Sequence, residues 1–427
     1  MTAAATHGAL RDQPPIHRVI IAASVGNALE WFDFLIYGYF AVTISKVFFP
    51  AGDPTVSLLV TLGTFGLAYL VRPLGAIVLG AYADRAGRKA ALMLSILLMM
   101  IGTTVMAVIP SYNAIGVIAP IAVLLARLLQ GFSVGGEFGS ATAFLVEHST
   151  DRKGFMASWQ WASQGLTALV ASAFGVALST LLAPAELMSW GWRIPFFFGL
   201  LIGPVGLYIR SRMAETPEFA GQAPAEAPIQ TLLAEHPVPV LIAIGASIIS
   251  NSSNYLILYI PTYAVSQLHL PQSTGFIATL VGAVILGSVA LIAGHWSDKI
   301  GRTKIMLVMT VLFFVTSYPI FWAMVASPSL ATAILAAGWL SLVKAGYSGV
   351  LPSLLSELFP TDTRAIGMSF SYSVSVTIFG GFAPFIATWL IARTGDKLSP
   401  AYYLMVTAVL SFIAIIAAGR HLPRHAS

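Results

Sequence analysis

Apolar residues recur along this chain in long runs, each closed by a short stretch in which Gly, Pro and charged side chains collect. The runs fall near 19–45, 56–82, 89–110, 117–145, 155–182 and 192–210, then 238–264, 273–296, 303–327, 330–357, 365–392 and 400–420. A helix needs about 20 apolar residues, at about 1.5 Å each, to cross the hydrocarbon of a bilayer. The pattern therefore predicts an all-α polytopic membrane protein with twelve spanning helices, the longer of which must tilt or project. The polar opening "MTAAATHGALRDQPPIHR" lacks a short apolar core followed by a small-residue cleavage site, so the first run is expected to remain as helix one.

The polar positions between the runs set orientation and division. Lys and Arg concentrate in the N-terminal tail (Arg11, Arg18), in every second connection (Arg85, Arg88, Lys89; Arg152, Lys153; Arg210, Arg212; Lys299, Arg302, Lys304; Arg364) and at the end (Arg420, Arg424). The positive-inside rule predicts those parts, and both termini, on the cytoplasmic side of the membrane. The opposite connections hold only Lys46, Arg193, Arg393 and Lys397, which leaves Arg72, Arg127 and Lys344 within spans.

One long polar interruption, 211–237, carries four Glu and several Pro and reads as a cytoplasmic linker between two six-helix lobes, 19–210 and 238–420, with tails 1–18 and 421–427. An internal repeat supports the division. "GAYADRAGRK" after helix two and "GHWSDKIGRTK" after helix eight share G-x-x-x-D-x-x-G-R, and "EHSTDRKG" after helix four matches "ELFPTDTRAIG" after helix ten. Two parallel repeats of six helices are expected of a two-lobed secondary transporter with its site at midplane between the lobes.

Composition agrees: hydrophobic residues make up 57% of the 427 and charged ones 9%, with mean hydropathy +0.84, outside the soluble range. There is no cysteine, so disulfides and thiolate metal sites are excluded. The net charge of +5 is spread over short connections and forms no stripe, so nucleic acid is not an expected partner. Phosphate loops, zinc spacings and nucleophile triads are missing; "GFSVGG" lies inside a span with no strand before it, so no enzyme activity and no cofactor are expected.

"GNALEWFDF", "VRPLGAIVLGAYADRAGRK", "RLLQGFSVGGE", "WGWRIPF" and "RMAETPEF", in that order, resemble the metabolite:proton symporter family of the major facilitator superfamily, along the whole chain. The resemblance implies the twelve-helix major facilitator fold and proton-coupled carriage of solutes such as citrate, tricarballylate, 2-oxoglutarate, shikimate, proline or betaine. The fourth helix and the short linker look most like the citrate and tricarballylate branch. The signature loop Asp84, Arg85, Gly87, Arg88 and its copy Asp298, Arg302 are, by the same resemblance, gating positions whose acids meet basic groups of a neighbouring helix when the carrier is closed inside. Glu147, Arg152, Glu357 and Arg364, in the second pair of repeated loops, join them.

Buried charge supplies the rest. An idle arginine inside a span costs about 2.5–3.5 kcal/mol, so Arg127 requires a partner: either a helix-one acid in a fixed salt bridge or a solute carboxylate met by its planar fork. Gln130 lies three residues on. Lys344 occupies the repeat-related helix ten, roughly 20 Å of helical rise from Glu357 and beyond easy snorkelling. Each lobe thus offers a cation to a di- or tricarboxylate.

Asn27, Glu30, Phe34 and Tyr37 follow a helical spacing in helix one, with Asp33 three past Glu30 on much the same side, and Glu137 is a third acid inside a span. A buried carboxylate whose partner changes between conformations takes up and loses a proton, so Asp33 or Glu30, ahead of Glu137, is the expected coupling residue. Arg72, before Pro73, is placed either for structural pairing with a helix-one acid or for coupling. Gln160 and Gln164 in helix five, Asn251, Asn254 and Tyr255 in helix seven, and Tyr347, one turn from Lys344, complete the expected lining; interhelical hydrogen bonds are the alternative for each. The run Gly380 to Pro384 reads as a hinge or kink.

These readings converge on uptake of an organic acid with protons, sodium being the other candidate ion, by a monomeric carrier in contact with lipid. The rivals are a proline or betaine carrier, in which an aromatic cage would take the quaternary amine, a receptor that binds without transport, and a channel.

Overall fold

The computed structural model describes Ala28 and residues 31–86, 88–135, 137–147, 152–212, 228–360 and 363–422. Every predicted apolar run contains helix, and the chain has the two-lobed, twelve-span architecture of the major facilitator fold. Among the described residues eight helices are long and apolar enough to cross a membrane, and Met93–Val108, Ile118–Ser133 and Gly191–Val205 are shorter apolar ones.

Several runs that hydropathy joins are broken. Helix one comprises α1 (31–39) and α2 (Ala41–Phe48); the second run is α3 (Pro54–Leu70) and α4 (Arg72–Ala86), and the third is α5 (Arg88–Val108). The fourth run divides into α6 (Ile118–Ser133) and α7 (Glu137–Glu147), with α8 (Lys153–Leu181) and α9 (Ile194–Arg212) closing the first lobe. The second lobe comprises α10 (Pro237–Ser266), α11 (Gln272–Ile300), α12 (Arg302–Ala326), α13 (Leu330–Ser348), α14 (Leu351–Leu358), α15 (Arg364–Ser375), α16 (Ala383–Thr394) and α17 (Ser399–His421). Between α15 and α16 lies a π-helical segment, Val376–Gly381, which overlaps the start of the Gly380 to Pro384 run.

Helix starts carry their own signals. Asp53 accepts from the Thr55 N–H at 2.7 Å before Pro54, and Ser329 and Thr332 form a capping box at the head of α13. Small residues let backbones close up where side chains would hold them apart. A Cβ at Gly131 would lie 1.8 Å from the Ala68 carbonyl oxygen, and one at Gly75 would lie 1.9 Å from that of Phe132, so α3 and α4 cross α6 at van der Waals contact of the main chains. Arg193, in "WGWRIPF", donates to the carbonyls of Ala107 (3.0 Å) and Ile109 (2.5 Å) and so ties off the last turn of α5.

The lobes meet along α8 and α11. Gly165 faces Gly287, and Gly154 and Ser158 face Gly294 and Ser297. At one end Ser172 donates to Thr279 (3.2 Å), Gln272 to Thr43 (3.4 Å), and Phe40 packs on Phe276 at 5.3 Å. At the other, the Gly139 N–H donates to Ser369 (3.0 Å) and Phe138 stacks on Tyr372 with ring centroids 3.7 Å apart. The lobes therefore touch on both sides of the midplane.

Candidate functional site

Arg127 sits in the middle of α6 with no exposed surface. Its Nη1 donates to Gln130 Oε1 at 2.7 Å, and Gln130 Nε2 donates to Asp33 Oδ2 (3.3 Å) and Thr103 Oγ1 (3.1 Å). Thr103, on α5, also donates to Asp33. Arg127 and Asp33 are thus joined through an amide rather than by a direct ion pair, and Asp33 faces α5 and Gly199 of α9. The guanidinium lies over the rings of Tyr37 (4.4 Å) and Phe34 (4.5 Å), while its Nε and Nη2 find no acceptor among the described residues. Arg72, buried at the head of α4, lies over Tyr69 (5.2 Å) and Phe34 (5.9 Å).

Lys344, in α13, is 1% exposed, and no carboxylate among the described residues pairs with it. Its Nζ stands 4.4 Å from the centroid of Trp161, which belongs to α8 in the opposite lobe. Lys344 lines a cavity of about 30 Å³ together with Leu35, Tyr39 and Ala168 of the first lobe and Asn254 and Thr279 of the second. At about 10–15 Å³ for each water-sized sphere, that volume accepts about two.

Lys344 lines this cavity and Arg127 is not on its lining; the Arg127 guanidinium lies against Phe34 and Tyr37. Gln130 is likewise within the first lobe. Tyr347 is not on the lining either; its hydroxyl donates to the Ala246 carbonyl at 2.5 Å and fastens α13 to α10. Asn254 is on the lining, and Asn251 donates to Ser375 Oγ (3.2 Å), leaving its own Oδ1 without a donor among the described residues. Tyr255 packs against Tyr69, Phe65 and Trp31 with centroids 5.2–6.2 Å apart. Gln160 and Gln164 are buried in α8, and Gln164 Oε1 has no donor among the described residues.

A charge cluster lies at the end of α11. Asp298 Oδ1 accepts from the Gly154 N–H (2.8 Å) and Oδ2 from the Phe155 N–H (3.1 Å), so a carboxylate of one lobe caps the first turn of α8 in the other. Arg302 reaches Glu357 at 2.6 Å and Asp298 at 3.6 Å. Arg364 donates to the Ser356 carbonyl (2.9 Å), and Arg152 is exposed beside the capped turn. Asn27, Glu30 and Gly87 lie outside the described residues, as do the side chains of Asp84, Arg85, Arg88, Glu137 and Glu147. Trp161 and Thr103 were missed from sequence: in a span Trp reads as one more apolar residue, and Thr103 has no partner near it in the chain.

Two repeated helical lobes in contact at both ends, with buried polar groups at the seam, have the layout of a two-lobed membrane transporter. The chain belongs to the Major Facilitator Superfamily, whose model matches residues 23–339 and 283–427. It is 39% identical over 399 residues to the citrate-proton symporter of Klebsiella pneumoniae, covering 92% of this chain and 90% of that one. Identity to the proline/betaine transporter of Escherichia coli strain K12 is 36% over 421 residues, covering 94% and 83%. The partially occluded, inward-open structure of the xylose transporter XylE from E. coli superposes with a TM-score of 0.75 over 96% of this chain and 98% of that one. At 16% identity that likeness shows the fold alone. These relatives are transporters, not enzymes.

Proposed function

We propose that this carrier takes up a di- or tricarboxylate, such as citrate, together with protons, from the outside of a bacterial inner membrane, with both termini in the cytoplasm. The observation that carries the reading is Lys344: a lysine buried between lobes, on the lining of the central cavity, with no acid beside it among the described residues. An unpaired buried cation is costly, and an anion that reaches it from the cavity relieves that cost while drawing the lobes together. The kinship with citrate-proton symporters supports the same solute class.

Asp33 is the proposed coupling residue, because the donors that favour its carboxylate, Thr103 and Gln130, come from two other helices and can change partner when those helices shift. Arg127 tunes it from the far side of Gln130, with Glu30, Glu137 and Arg72 as neighbours in the sequence pattern. Asp298, Arg302 and Glu357 act as the cytoplasmic latch, with Asp84 as the counterpart in the first repeat.

The proline/betaine relatives favour a second reading, in which the rings of Tyr69, Phe65, Phe34 and Tyr37 cage a quaternary amine. Arg72 and Arg127 already lie over all four of those rings, and their charges would repel such an amine. A thermal-shift screen of purified protein against mono-, di- and tricarboxylates and betaines decides between them. Citrate is expected to raise the melting temperature of the wild type and to lose that effect with Lys344→Ala; stabilisation by betaines alone overturns the reading. Uptake into proteoliposomes separates a carrier from a receptor.

A further inference from the structure

A carrier that runs a net cycle must return without its solute, and a cation at the lobe interface opposes that return. Once the carboxylate has left, closing the lobes would strand Lys344 between them with its charge unanswered. The arrangement described here contains an answer. With the lobes together as they are here, the ring facing the ammonium is that of Trp161, 4.4 Å away. Trp161 is itself 1% exposed and comes from the opposite lobe, so the contact exists only when the lobes are together. An indole face is the best aromatic partner for a cation, and the interaction strengthens when water is excluded.

We propose that Trp161 is the internal substitute for the solute: it holds the charge of Lys344 during the unloaded return step and yields Lys344 to a carboxylate during the loaded step. Trp161 thereby governs turnover rather than affinity. The assignment rests on Lys344 being the solute cation, and it adds a residue whose effect differs in kind from that of Lys344. Solute exchange never uses the unloaded return step, so loss of Trp161 separates the two modes of transport.

The test uses the full-length protein in proteoliposomes, with radiolabelled citrate as the probe. Net uptake is driven by an imposed inward proton gradient, and counterflow by preloading unlabelled citrate. With Trp161→Leu, net uptake is expected to fall about tenfold while counterflow stays within about twofold of wild type. Trp161→Phe, which keeps a ring face, is expected to recover most of the net uptake. Retained counterflow also shows that the variant is folded. An equal fall in both modes, or no change in either, overturns the assignment even where citrate stabilises the wild type and Lys344→Ala abolishes that effect. Failure of citrate to stabilise the wild type instead removes the functional reading, and the assignment with it.

Discussion

Replacing Asp298 by Asn tests whether the charge cluster at the end of α11 holds the lobes shut. The carboxylate accepts two main-chain N–H groups of α8, at 2.8 and 3.1 Å, and its side chain is only 13% exposed. Asn keeps one carbonyl acceptor, turns an N–H toward the second donor and removes the negative charge from the head of α8. Hydrogen bonds to charged groups contribute about 1.5–3 kcal/mol and neutral ones about 0.5–1.5. Losing one and weakening the other removes about 2 kcal/mol from the closed arrangement, a shift of roughly 30-fold toward opening at that face. The chain has no cysteine, so a single reporter thiol has no background. Ser373→Cys is suited to the purpose, since Ser373 is buried against the Gly135 carbonyl of the other lobe. In the Asp298→Asn background, maleimide labelling of that thiol should accelerate by roughly 30-fold, the ratio set by the open population. A labelling rate within about twofold of the Ser373→Cys parent, at unchanged melting temperature, would refute a latch role for Asp298.

Two further perturbations probe the first lobe. Gln130→Leu removes the amide that joins Arg127 to Asp33 and leaves both short of a partner, at a cost of about 1–3 kcal/mol each; proton-driven uptake should fall at least about tenfold while citrate exchange continues, and an equal loss of both modes would reduce Gln130 to a packing residue. Gly131→Ala sets a methyl 1.8 Å from the Ala68 carbonyl, whereas a methyl at Gly52 meets nothing within 4 Å. The first variant should therefore fail to give monodisperse protein on size exclusion and the second should match wild type; normal behaviour of Gly131→Ala would mean that α3 and α6 are not packed as described.

The twelve spans were legible because the bilayer makes the same demand of every crossing helix, and that demand is local in sequence. The breaks within them were not. Val71, the Val134–Gly135 corner, the Gly349–Val350 corner and the π-helical segment at Val376–Gly381 fall inside apolar runs, and hydropathy averages over them. Charged positions were legible one at a time: Lys344 and Asp298 announced themselves by their cost or their repetition. Their partners were not, because Trp161 is 183 positions from Lys344 and Asp298 caps α8 through main-chain N–H groups that have no residue identity. Arg127 shows the same limit in reverse. Its need for a partner was evident, but an amide bridge and two aromatic faces met part of it where a carboxylate was expected.

An alternating carrier requires lobes that close firmly enough to exclude water yet separate within a turnover, so its states must lie within a few kcal/mol of one another. The interface meets that requirement by its chemistry. Along the centre of α8 and α11 the contacts are between Gly, Ser and Ala, whose near-smooth surfaces carry no interlocking side chains to disengage. Directional contacts lie toward the ends, the Asp298 cap and the Gly139–Ser369 bond at one face and Gln272–Thr43 and Ser172–Thr279 at the other, and along a second seam Thr377 donates to the Tyr69 carbonyl (2.9 Å) and Ser373 to that of Gly135 (3.5 Å). Each is of the order of 1–3 kcal/mol, so opening one face sacrifices only that face's set while the other set persists. Between them stands the Lys344–Trp161 contact, which joins the two lobes and which, on the proposed reading, a carboxylate replaces. On that reading, an anion bound at Lys344 adds to closure at the midplane without altering either end, so the same solute contacts serve whichever face opens next.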